Sequence, residues 1–187
     1  MTTKDIVLVA LFAAIVVVLG FLPPITIAFI PAPITAQSLG AMLAGTIIGS
    51  KRGGGALLLF VLLVAIGLPV LAGGAGGFQK LTGPTGGYIV GWVFAAYFTG
   101  LIAERLVHEG QAEVRQYLGF FVASVVGGIA IDYAFGIPWL SFTAGIPFTK
   151  ALVGNLAFIP GDLIKAVIAT LAARAVLAGY PMLPSRA

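Results

Sequence analysis

Apolar positions in this chain do not alternate with polar ones; they run on without interruption. Residues 6–22, "IVLVALFAAIVVVLGFL", hold no polar side chain at all. A helix that is apolar on every face needs an apolar solvent around it, and a bilayer is the simplest one. Six stretches of roughly membrane-crossing length are predicted, over about Asp5–Leu22, Ile34–Ser50, Gly54–Leu71, Gly86–Ala103, Tyr117–Phe135 and Gly161–Gly179. The expected fold class is therefore an all-α integral membrane protein, with six transmembrane helices in one domain over residues 1–187 and outward-facing loops forming a small-ligand pocket. A further apolar piece, "FTKALVGNLAFI" (148–159), is too short to cross alone. It reads either as a re-entrant helix or as an extension of the sixth span. No clear small-residue cleavage site follows the first run, so it is expected to be a retained span and not a secretory signal.

Two segments break the apolar pattern on one side. "FLPPITIAFIPAP" (21–33) is rich in proline, and "GGAGGFQKLTGPTGGY" (73–88) has seven glycines in sixteen residues. A plain connection needs only a few residues of turn chemistry. Glycine-rich backbone also offers N–H groups to an anionic or carbonyl ligand. Phe78 and Tyr88 add flat apolar surface and Thr85 a hydroxyl, which is the composition of a small-molecule pocket: apolar walls with a few placed polar groups. A flexible outer loop is the plainer alternative.

Composition agrees with the pattern. Hydrophobic residues make up 60% of the chain and charged residues only 9%, against about a quarter in soluble domains. There is no cysteine, which excludes disulfides and thiolate metal sites, and the single histidine, His108, sits in a charged loop. The net charge of +4 does not indicate nucleic acid, because the basic residues sit at span ends where they orient a membrane protein. Six spans place both termini on one side, the side of Lys4, Lys51, Arg52, Arg105, Arg115 and Arg186. The other side has Lys80 and Lys150. This imbalance predicts cytoplasmic termini, and hence an outward-facing glycine-rich stretch.

Small residues recur at helical spacing as Ala10 and Ala14, Gly45 and Gly49, Gly87 and Gly91, each pair allowing close backbone approach. Few ionisable groups fall within spans, where they are functional candidates by default. Asp5, Glu104, Arg105, Glu109, Glu113 and Arg115 lie at edges or in a loop, and Arg174 can snorkel. Asp132, Asp162 and Lys165 remain. Asp162 and Lys165 are three apart, on one helix face, behind Pro160 and Gly161 at a helix start. A polar clamp at a pocket mouth and a stabilising helix-terminal ion pair both fit them. No P-loop, GxSxG or HExxH pattern is present, so the chain has no ATP-binding motif and no recognisable catalytic set.

"LTGPTGGYIVGW" (81–92) and "FIPGDLIKA" (158–166) resemble two motifs of the biotin-specific substrate-binding component of energy-coupling factor (ECF) transporters, the BioY family. "IPAPITAQSLGAMLAG" (30–45) is similar to its stretch entering the second span. The resemblance implies a non-enzymatic vitamin-uptake component with biotin as its ligand and no cofactor. It would work with a transmembrane coupling protein and two cytoplasmic ATPases in the cytoplasmic membrane of a prokaryote. The family's PGDxxK motif maps onto Pro160–Lys165, making Asp162 and Lys165 the first binding candidates. Gly83, Thr85, Gly86 and Tyr88 map onto the glycine-rich motif, with Phe78 and Gln37 as further candidates. Ala10 and Ala14 resemble the surface that meets the coupling protein. Asp132 and Asn155 match no family motif, and the group that holds the biotin carboxylate stays open between Lys80 and loop amides. A component for another small vitamin, a stand-alone oligomeric facilitator and a small lipid-modifying membrane enzyme are the alternatives; the enzyme lacks the acidic clusters it needs.

Overall fold

A computed structural model describes residues 2–26, 31–180 and 182–183. They are almost entirely helical. Helix α1 (Thr3–Leu19) begins with a reciprocal cap: Thr2 Oγ1 accepts from the Asp5 N–H, and Asp5 accepts from the Thr2 N–H at 2.7 Å. Helices α2 (Gln37–Ile48) and α3 (Ser50–Ala65) are separated by Gly49 alone, whose φ of 82° only glycine adopts readily. A short outer helix, α4 (Phe78–Thr82), precedes α5 (Gly86–Leu106). Then α6 (Glu113–Val125), a π-helical turn (Val126–Ile131) and α7 (Asp132–Ala144) form one continuous helix. A second continuous run joins α8 (Phe148–Asn155), a 3-10 turn (Leu156–Phe158) and α9 (Ile159–Gly179).

These make six long helical bodies, as the hydropathy pattern predicts, but their lengths differ from the prediction. Among the described residues, Gly86–Leu106, Glu113–Ala144 and Phe148–Gly179 are long and apolar enough to cross a membrane. Helices α1, α2 and α3 have 17, 12 and 16 residues. Helix α2 starts at Gln37 instead of Ile34 because Ile34 pairs with Ile25 in an antiparallel bridge, with backbone bonds of 2.9 and 2.8 Å. Helix α3 ends at Ala65 instead of Leu71, before Gly67 (φ 99°) and Pro69. Residues 148–159 extend the sixth span, which settles that alternative against a separate re-entrant helix.

The central helix is α5, packed against α2, α3 and α7. Gly45 and Gly100 allow the α2–α5 approach: a Cβ on Gly45 would stand 2.6 Å from the Ala96 carbonyl oxygen and 2.8 Å from the Gly100 nitrogen. Gly87 and Gly91 likewise face α7, against Trp139, Phe135 and Asp132. Two of the three small-residue pairs thus work inside the fold. The third, Ala10 and Ala14, is exposed on α1.

Both described ends of the chain meet at one end of the molecule. Lys4 Nζ donates to Tyr180 Oη at 3.3 Å, and Arg52 donates to Asp5 Oδ1 at 2.6 Å and to the Met182 carbonyl at 3.2 Å. Glu104 caps α3, accepting the Ser50 N–H at 2.6 Å in place of the side chain that Gly49 lacks. Arg174 donates to Glu113 at 2.7 Å. Arg186 and residues 27–30 of the proline-rich stretch lie outside the described residues.

Candidate functional site

A cavity of about 390 Å³ opens at the other end of the bundle, lined by residues from 31–38, 71–75, α4, the start of α5, the start of α7 and the start of α9. That volume suits a small ligand, for which sites span about 300–1,000 Å³. Ile34, Leu71, Ile89, Trp92 and Phe158 supply apolar wall.

The polar end of the cavity is built on α9. Pro160 sits in the first turn, where its missing N–H has no consequence. Asp162 follows, its carboxylate complementing the positive end of the helix dipole. Lys165, one turn on, donates to Asp162 Oδ1 at 2.8 Å and to Ser38 Oγ at 2.9 Å. Tyr133 Oη donates to Asp162 Oδ2 at 2.7 Å. Three elements therefore fix one ion pair, and Asp162 keeps only 6% of its surface exposed. Charge-assisted bonds shielded from water are the strong ones.

A second buried chain of bonds holds the aromatic wall. Tyr88 Oη donates to Asn155 Oδ1 at 2.6 Å, and Asn155 Nδ2 donates to the Ala151 carbonyl at 2.7 Å. The rings of Tyr88 and Tyr133 meet edge to face, with centroids 6.4 Å apart. Asn155, whose role sequence left open, thus positions Tyr88.

The rim is the turn from α4 into α5. Gly83 and Thr85 line the cavity, and the Gly83 carbonyl accepts from Trp139 Nε1 at 2.9 Å. Two of the sequence candidates stand outside the lining. Gly86 is buried beneath the Leu81 carbonyl, where a Cβ would collide. Phe78, the first residue of a five-residue helix, leaves 65% of its surface exposed. Gln37 does line the cavity, yet its amide is engaged by backbone: Nε2 donates to the Val16 and Val70 carbonyls, both at 3.0 Å, and Oε1 accepts the Ala72 N–H at 2.8 Å. Lys80 lines the cavity from α4, whereas Lys150 does not.

Sequence reasoning missed Ser38 and Tyr133, which hold the ion pair, and Trp92 in the wall. The available signal was adjacency: Ser38 follows Gln37, and Tyr133 follows Asp132. Both Asp132 and Tyr133 come directly after the π turn, whose i→i+5 spacing widens the helix beside the cavity. Gly127 and Gly128 let that turn lie directly on Thr99 and Met42. The arrangement presents donors and acceptors to a small ligand with both polar and apolar parts. Among the described residues, no three His, Cys, Asp or Glu side chains converge as metal ligands.

Three comparisons bear on this geometry. The sequence model of the BioY family matches residues 1–182. A biotin transporter BioY from Rhizobium etli is 59% identical over 187 residues, covering all of both chains, and one from Rhodobacter capsulatus is 47% identical over 182 residues, covering 92% of this chain and 93% of that one. The crystal structure of the S-component for biotin from an ECF-type ABC transporter superposes with a TM-score of 0.88 at 35% identity, covering 97% of each chain.

Proposed function

The chain belongs to the BioY family, and from that premise we propose that it is the biotin-binding S-component of an ECF-type transporter, a multi-pass membrane protein that takes up its vitamin and catalyses no reaction. The observation that carries the reading is the Asp162–Lys165 pair, 2.8 Å apart and held by Tyr133 and Ser38 at the polar end of a mostly apolar cavity. Biotin has a ureido ring with two N–H donors and one carbonyl, a thioether ring and a valerate carboxylate. Asp162 accepts a ureido N–H, and Lys165 donates to the ureido carbonyl. Tyr88 forms the wall, with Gly83 and Thr85 at the rim, where Lys80 is placed to meet the carboxylate. Gln37 serves the site by holding its floor; Gly86 and Phe78 belong to the rim's framework.

In this reading the protein lies in the cytoplasmic membrane of a prokaryote, with both termini inside and the cavity facing out. The basic residues clustered at the terminal end support that orientation. A transmembrane coupling protein and two ATPases supply the energy that this chain, without an ATP motif, does not. The exposed Ala10–Ala14 face of α1 is the docking surface for the coupling protein, and residues 1–187 act as one unit.

Isothermal titration of biotin into the folded, unliganded protein, with thiamine and riboflavin as controls, tests the ligand. One-site binding of biotin alone is expected. No heat with biotin, or tighter binding of another vitamin, overturns the reading.

A further inference from the structure

Asp132 begins α7, directly after the π turn, and keeps 4% of its surface exposed. It lines the cavity together with Asp162 and Lys165. Room for its carboxyl comes from Gly91 of α5, where a Cβ would stand 2.6 Å from Asp132 Oδ1. That oxygen has no hydrogen-bond partner among the described residues. Several polar groups around it do: both oxygens of Asp162, the Lys165 ammonium, the Tyr88 and Tyr133 hydroxyls and the Gln37 amide.

Other buried polar atoms also lack partners, namely Thr99 Oγ1, Gln116 Oε1, Ser124 Oγ and Arg174 Nε. None of these residues lines the cavity. Of these buried atoms without a partner, Asp132 Oδ1 is the one whose residue lines the cavity. Leaving a buried acceptor unbonded is costly, the more so when it is charged, so such a group calls for an explanation. On α5, Gly91 presents no side chain to Oδ1, while the Trp92 indole N–H is directed at the same carboxyl. A carboxylate accepts several bonds, and a ligand in the cavity is the further source of a donor for Oδ1.

We infer that Asp132 is a second acceptor for the ligand's cyclic urea and makes the cavity selective for a ring with both nitrogens unsubstituted. The inference rests on the biotin reading above. A cyclic urea carries one N–H on each side of its carbonyl. With Lys165 on the carbonyl and Asp162 on one N–H, the other needs an acceptor from a different element. Asp132, on α7, supplies it. A ring lacking the second N–H leaves this acid unbonded in the complex, and discrimination by unpaired buried groups is the strong kind.

The test uses the full chain and its Asp132→Leu and Asp132→Asn variants, with biotin and the two biotins methylated on one or the other ureido nitrogen. Wild type is expected to reject both methylated forms. In Asp132→Leu, biotin affinity falls roughly tenfold or more, while the ligand-free melting temperature holds or rises. That variant rejects only one methylated form. Asp132→Asn, which keeps shape but not charge, guards against a folding failure and is expected to fall between. Unchanged biotin affinity in either folded variant overturns the inference. So does an affinity loss accompanied by a drop in ligand-free melting temperature in both variants, which marks a structural role. Failure of wild type to bind biotin overturns the functional reading and this inference with it.

Discussion

At the scale of single residues, the ion pair and its supports differ in what they stand to lose. Lys165→Ala removes the proposed donor to the ureido carbonyl and strips Asp162 of its counter-charge, so biotin affinity should fall by roughly 1.5–3 kcal/mol, the range for charged hydrogen bonds. Asp162→Asn should cost a similar amount. Tyr133→Phe removes one O–H bond to Asp162 Oδ2, at 2.7 Å, which orients the acid and leaves its counter-charge in place, and should cost less than Lys165→Ala. Titration calorimetry on the folded variants checks the order, and a Tyr133→Phe loss exceeding that of Lys165→Ala would refute it. Gln37 behaves differently. Its amide joins the end of α1 to the loop at 70–72 through two donated bonds and one accepted bond. Gln37→Ala should lower the melting temperature of the ligand-free protein. Gln37→Glu should do so too, since a carboxylate accepts from Ala72 but donates to neither carbonyl. Full rescue by Glu would reduce the role to the Ala72 bond alone. The spacing of Asp162 and Lys165 already announced a shared face. Gln37 was legible only as a polar residue in a motif, because its partners lie 21 to 35 positions away.

At the scale of elements, the hydropathy pattern located the six helical bodies well and their ends less well. Apolar runs report where a helix is tolerated by lipid; they do not report where tertiary pairing takes the backbone over. That is why Ile34 left α2 to pair with Ile25, and why α6 and α7 run on past the expected limit at Phe135 to Ala144. The π turn was not legible at all, since two adjacent glycines fit a kink, a packing face or a turn equally. Its glycines now separate into two kinds. A Cβ on Gly127 meets the backbone of Thr99, which cannot move without shifting α5, whereas one on Gly128 meets the flexible side chain of Met42. Gly127→Ala should therefore destabilise by about 1–3 kcal/mol, the usual cost of overpacking, and displace Asp132 and Tyr133 enough to weaken biotin binding. Gly128→Ala should be milder on both counts. Melting curves and titrations of the two variants check this, and equal effects would show that the π turn tolerates movement of α5.

At the scale of the whole molecule, the two ends divide the work. One carries the cavity; the other gathers the chain ends, with Arg52 tying α3 to Asp5 and to Met182. The absence of cysteine makes their sidedness directly testable. A membrane-impermeant maleimide applied to intact cells should label Lys80→Cys and spare His108→Cys, and the reverse pattern would invert the proposed orientation. Helix α1 links the two ends. Val16, near its cavity end, accepts a bond from Gln37, while Ala10 and Ala14 lie exposed along its middle, with Ile6, Val7 and Leu11 also exposed on the helix. Lipid covers an apolar helix face well enough, so apolarity alone would not mark a docking site. Small residues one turn apart add something that lipid does not need, a shallow groove for a second helix. The corresponding pairs at Gly45 and at Gly87–Gly91 are already filled by helices of this chain; the α1 pair is open. Ala10→Trp and Ala14→Trp should therefore leave biotin affinity unchanged, because neither residue lines the cavity, while reducing co-purification with the proposed coupling protein and ATPases. Intact co-purification in both variants would mean that the coupling protein docks elsewhere, and loss of biotin binding would mean that α1 supports the cavity more directly than its contacts indicate.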